Sequence, residues 1–130
     1  ILKDMGMDIE DRTEIMMAIG NHDEATGTAV SDISAALILA DKSDVHRNRV
    51  RNRDIVTFDK HDKVNYAATN TNFIMDKEKR KVTLDIMIDN TICPVLDYFD
   101  IFMERTKMSK YAAKYLNIWF ELIINDTKLL

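Results

Sequence analysis

The hydrophobic period of this chain changes near Asn70, and that change limits the fold more than any other feature. After it, Val82, Leu84, Ile86 and Ile88 alternate with Thr83, Asp85 and Met87. Alternate side chains of an extended chain leave on opposite faces, so this run predicts a strand with one face covered and the other wetter. Phe73-Ile74-Met75 precedes it across the charged stretch Asp76-Lys77-Glu78-Lys79-Arg80, which predicts two strands joined by a turn. Phe120 to Ile124 predicts a third strand, turning at Asn125-Asp126. Between these, Pro94 suits a first helical turn, and Val95, Tyr98, Phe99, Phe102 and Met103 recur at three- and four-residue spacing. Ser109 is expected to cap a second helix bearing Ala112, Ala113, Tyr115 and Leu116. The aromatic residues in this region, Tyr111 and Trp119 included, are expected to be packing residues.

Before Asn70 the spacing is helical. Asp8 is a plausible cap with Asp11 in the first turn, and Ile9, Thr13, Met16 and Met17 begin a face that should run to Gly20. Residues 21 to 28 read as a loop. Ser31 or Thr28 should cap the next helix, with Ile33, Ala36, Leu37 and Ala40 as its buried positions. Residues 44 to 53 suit a polar helical extension or an ordered loop, and Asp59 or Lys60 should start a short helix through Val64 and Ala67-Ala68. With only 3 Gly and 1 Pro, long linkers are disfavoured. The expected class is α+β, mainly α, in a single domain or fragment over residues 1–130. A helical part spans 1–69, and a small antiparallel sheet with two helices, in the order β-β-α-α-β, spans 70–130.

The only cysteine, Cys93, excludes an intrachain disulfide, fits a reducing compartment, and is expected to be a buried thiol. No apolar run approaches the roughly 20 residues of a membrane span, so the expectation is a cytoplasmic protein with no membrane partner. A homo-oligomer remains open. The amino end lacks the basic and apolar regions of a signal peptide and begins at Ile, which suggests a piece of a longer protein.

Chemistry-bearing residues concentrate between 22 and 53. His22 ends one expected helix, and Asp41 closes the apolar run Ala36-Leu37-Ile38-Leu39-Ala40. A carboxylate there faces a desolvation cost unless a cation or several donors meet it. Lys42 is not expected to do so, because adjacent side chains diverge on a helix. A metal, His22 or an arginine would. Asp23 and Glu24 are placed to orient the imidazole or a metal-bound water. Downstream, Lys42, Arg47, Arg49, Arg51 and Arg53 stand against Asp44, a local charge of +4 in a chain of net charge −4. Guanidinium forks suit phosphoryl oxygens, so Lys42, His46, Arg47, Arg49, Arg51 and Arg53 are candidate phosphate-binding residues. A solvated face paired with surplus carboxylates fits the same residues. The acidic remainder and the lack of interleaved aromatics argue against nucleic acid. His61-Asp62 is expected to brace the patch.

Ile19-Gly20-Asn21-His22-Asp23-Glu24 followed by Ala36-Leu37-Ile38-Leu39-Ala40-Asp41-Lys42 resembles the second half of an HD-domain metal-dependent phosphohydrolase, over roughly residues 7 to 45. The resemblance matches Asp41 to that family's final aspartate and His22 to one of its additional histidines. It implies a divalent ion (Mn, Fe, Mg, Zn or Co) held in part by His22 and Asp41, with Asp41 and Asp23 in catalytic roles. It further implies hydrolysis of a nucleotide or related phosphoester. The family's early histidine and its His-Asp doublet have no counterpart before residue 22, so the resemblance places them in an amino-terminal part of a longer enzyme. The alternative is a non-catalytic module that binds a phosphorylated ligand through the Arg47–Arg53 cluster.

Overall fold

The computed structural model describes residues 1–24 and 27–130. Its elements run α1 (Ile9–Gly20), α2 (Asp32–Ser43), α3 (Lys60–Ala67), β1 (Ala68–Asp76), β2 (Lys81–Ile88), α4 (Val95–Tyr115), β3 (Trp119–Ile124) and β4 (Thr127–Lys128). Two short 3-10 turns, Arg47–Arg49 and Ile55–Thr57, lie between α2 and α3. The class is α+β, mainly α. The expected loop over residues 21 to 28 includes residues 25 and 26, which lie outside the described residues.

Local chemistry starts the helices where expected. The Asp8 carboxylate accepts from the amides of Glu10 and Asp11, the Ser31 hydroxyl from that of Ser34, and the Asp59 carboxylate from that of Asp62. Each supplies an acceptor to amides that have no partner inside the helix. The faces differ from the sequence reading, however. In α2 the buried residues are Ser34, Ala35, Ile38, Leu39 and Lys42, whereas Ile33, Ala36 and Ala40 are exposed. Apolar residues almost encircle α2, so its own sequence cannot mark the covered side. Packing against α4 decides it, with Ala35, Ile38 and Leu39 meeting Met108, Ala112 and Ala113. Helix α1 buries only Ala18, leaving Ile9, Met16 and Met17 exposed.

The sheet departs from expectation in two respects. Its order is β1-β2-β3-β4, and β2 pairs with β3 in parallel, Thr83 opposite Glu121 and Leu84 opposite Leu122. The sheet is therefore mixed, not purely antiparallel, because a single helix crosses between β2 and β3 and returns the chain in the same direction. That helix is α4, 21 residues long and unbroken where two helices were expected. Ser109 does not cap. It is buried mid-helix and its hydroxyl donates to the Arg105 carbonyl 3.1 Å away, the backbonding that lets serine remain within a helix. With no Gly or Pro between Val95 and Tyr115, nothing interrupts the helical ladder.

β1 also begins earlier than Phe73. It leaves α3 directly at Ala68 and pairs antiparallel with β2. Val82, Leu84, Ile86 and Ile88 are buried, as their alternation predicts. One core joins Leu84, Ile86 and Ile88 to Val45, Val64, Tyr98, Phe102, Leu122 and Ile124, and Cys93 is buried within it. Val45 and Val64 come from the helical half, so this core spans both parts of the chain. Asn125 and Asp126 both have positive φ in the β3–β4 turn, the backbone geometry that suits a tight hairpin. Among the described residues, no helix is long and apolar enough to cross a membrane.

Candidate functional site

His22, Glu24, Asp41 and Lys42 meet where the end of α1 approaches the end of α2, and α4 adds Arg105. The Gly27 amide donates to the Asp23 carbonyl at 2.7 Å, and a Cβ at this glycine would collide with that same oxygen. The segment carrying His22 and Glu24 is thus closed by a contact only glycine permits. His22 Nδ1 lies 2.5 Å from the Ile19 carbonyl oxygen and must donate to it, since a carbonyl only accepts. The imidazole is therefore oriented by its own helix end, and not by Asp23 or Glu24.

Lys42 is only 4% exposed, and its ammonium stands 2.6 Å from Asp41 Oδ2 and 3.1 Å from Glu24 Oε1. This corrects two expectations. Lys42 does reach its sequence neighbour Asp41, its long, flexible stem letting the ammonium meet a carboxylate one residue away. It is also spent on carboxylates, not held out for a phosphate. Arg105 completes the cluster: Nη2 donates to the Asp41 carbonyl at 2.8 Å, and Nε lies 3.3 Å from Glu24 Oε1, off the hydrogen-bond line. The same guanidinium sits 4.9 Å from the Phe102 ring centre. Burial pushes the Asp41 carboxyl up, but the Lys42 hydrogen bond and charge, with Arg105 and His22, outweigh it and hold it below its ordinary 3.8.

Cations crowd this donor set. Asp41 Oδ2 is held by the Lys42 ammonium, and the Arg105 guanidinium bonds the Asp41 carbonyl, so an added ion at this carboxylate would face two nearby cations. Asp23 is exposed and contributes its backbone carbonyl, to Gly27. Among the described residues, no three His, Cys, Asp or Glu side chains converge as a cage.

The arginine segment is shaped by its own side chains. His46 Nδ1 accepts from the Asn48 amide at 3.1 Å and so caps the first 3-10 turn. Arg47 lies over the Tyr66 ring, 5.2 Å from its centre, and Arg49 pairs with Asp44. Asn52 reaches the Thr57 hydroxyl at 2.9 Å, and Asp54 caps the second turn through the Val56 amide. Arg51 and Arg53 are exposed, and among the described residues neither has a carboxylate partner. The backbone is extended at Val50 and Asp54, which flank them. Between them the Asn52 side chain accepts from the Asp54 amide at 3.1 Å, a local turn that carries Arg53, so the two free guanidinium groups flank a pinned asparagine. His61 is exposed and its ring lies 6.4 Å from that of Phe102.

Sequence reasoning missed Arg105, which lies 64 residues from Asp41 and carries no local signal. It also misjudged part of the aromatic set. Tyr98 and Phe102 are buried, but Trp119 is 76% exposed and Tyr111 66%. No family model matches the chain, and neither a curated protein nor a solved structure matches it.

Proposed function

We propose that the chain is a non-catalytic module that binds a phosphorylated small molecule through Arg51 and Arg53. The observation that carries this reading is the pair of exposed guanidiniums flanking Asn52, free of carboxylates among the described residues. Each can present two parallel N–H groups to phosphoryl oxygens and stays charged at any working pH. Arg47 and Arg49 support the loop instead, through Tyr66 and Asp44. A thermal-shift titration with inorganic pyrophosphate, run in a chelator, tests it. The expected result is a saturable rise in Tm that Arg51→Gln/Arg53→Gln removes, with at least about tenfold weaker binding for that variant. An unchanged affinity in the double variant overturns it.

A second reading is favoured by His22. Donation from Nδ1 leaves Nε2 with its lone pair, as a metal-ligating imidazole requires. On that reading the chain is the carboxy-terminal part of a metal-dependent phosphohydrolase acting on a nucleotide or related phosphoester. His22 and Asp41 would then share an ion with ligands supplied from elsewhere in a longer polypeptide. The Lys42 and Arg105 contacts weigh against it. Pyrophosphate binding that appears only with added metal, and is lost in His22→Ala, would favour it over the first.

A further inference from the structure

A groove of about 480 Å³ runs between the last turns of α4 and the start of β3, lined by Lys110, Tyr111, Lys114, Ile118, Trp119 and Phe120. We propose that it binds a nucleoside phosphate, the base stacking on Trp119 or Tyr111 and the phosphates meeting Lys110 and Lys114. This site is separate from the arginine segment and does not depend on the reading given to it.

The cations come first. Lys110 and Lys114 lie one helical turn apart, both exposed, and among the described residues neither has a carboxylate partner. Lysines near a helix carboxy terminus ordinarily serve its unpaired carbonyls. Here other groups do so. The Ile118 amide donates to Ala113 and the Asn117 amide to Lys114, with Asn117 at φ 55. Arg80, reaching over from the hairpin turn, donates to the carbonyls of Asn117 at 3.0 Å and Leu116 at 3.3 Å. The two ammonium groups are therefore left free at the rim of the groove in a chain of net charge −4.

The aromatic groups supply the rest of the chemistry. A tryptophan and a tyrosine exposed together forgo the burial their large apolar area would gain. Beside two free cations they offer a stacking face and an anion site within one cleft whose volume suits a nucleotide-sized ligand. Ile118 and Phe120 are half-buried and give the groove an apolar floor. A simple anion would leave the rings unused, and a neutral aromatic would leave the lysines unused. A base joined to a phosphate uses both.

Trp119 is the only tryptophan, so its fluorescence reports this groove alone. The test is a titration with ATP in a chelator, using Arg51→Gln/Arg53→Gln protein to remove the other candidate anion site. Saturable quenching is expected, with adenosine and inorganic tripolyphosphate each binding at least about tenfold more weakly than ATP. Lys110→Gln/Lys114→Gln should weaken ATP by a similar factor at unchanged circular dichroism. Trp119→Ala, followed by equilibrium dialysis, should do the same. Absence of saturable quenching at millimolar ATP, adenosine or tripolyphosphate matching ATP, or unchanged affinity in the lysine variant would each overturn the proposal.

Discussion

Lys42 and Arg53 are separated by only a short stretch of sequence, yet the fold treats their charges in opposite ways. At Lys42 the ammonium is buried and held by two carboxylates, with a guanidinium from α4 closing the cluster. At Arg51 and Arg53 the guanidiniums face outward with no carboxylate among the described residues. Lys42 has a carboxylate beside it in sequence, Asp41, and Glu24 and α4 join it from further away, whereas among the described residues no acidic side chain pairs with Arg51 or Arg53. Whether a cation is structural or available is therefore decided by the partners the fold brings to it, near or far in sequence.

The largest test of that contrast removes the carboxylates from the buried cation. Asp41→Ala/Glu24→Ala leaves Lys42 beside Arg105 with neither counter-charge, and should cost about 3 kcal/mol or more in urea unfolding. Adding Lys42→Met to that variant should recover most of the loss, since an apolar chain of similar length suits the site better than an unpaired ammonium. A loss below about 1 kcal/mol would erase the distinction between the two regions.

A second charge held internally should respond to pH. Glu121 accepts from Lys128 at 2.5 Å, Lys81 at 2.7 Å and the Thr83 hydroxyl at 3.0 Å. Led by the Lys128 bond, these lower its carboxyl from the ordinary 4.5 to about 2. A depressed acid stabilises the fold fully above its unfolded pKa and ceases to do so as pH falls through its folded one. Glu121→Gln should therefore lower Tm at neutral pH, and the gap to the parent should close between pH 4.5 and about 2. A gap independent of pH would assign the residue to packing alone. The smallest effect is expected at the exposed arginines, where Arg51→Gln/Arg53→Gln should change stability by no more than about 0.5 kcal/mol while weakening pyrophosphate.

The contrast also explains what could be read from the sequence. Caps at Asp8, Ser31 and Asp59, the alternation through β2, and the Asn125-Asp126 turn depend on neighbours within a few residues, and each was legible. The covered face of α2, the parallel pairing of β2 with β3 and the Lys42 cluster depend on α4, and they were not. Ser109 shows the same limit at one residue: its hydroxyl suits a cap as well as a buried bond to the preceding turn, and only the unbroken helix selects between them. For the candidate site, the arginine segment was legible as charge, but its division into supporting and free residues was not. The groove at Trp119 was hidden because the spacing of the aromatics shows neither that Tyr111 leaves α4 outward nor that Trp119 opens β3 instead of continuing a helix.

The crossover through α4 has a consequence for the order in which the sheet assembles. β1 and β2 are joined by a four-residue turn, Lys77 to Arg80, and a hairpin of that kind closes in about 1–10 μs. β3 meets β2 only across the intervening helix, with Thr83 and Glu121 38 residues apart. Closing that longer connection carries a greater entropic cost, so the parallel pairing should form after the hairpin and after α4 is helical. Pulse-labelled hydrogen exchange during refolding should protect the β1–β2 amides before those of β3, and simultaneous protection would refute this order. The strand that begins at Trp119 is then a late arrival in the sheet, and the groove beside it comes into existence only after the hairpin and α4 are in place.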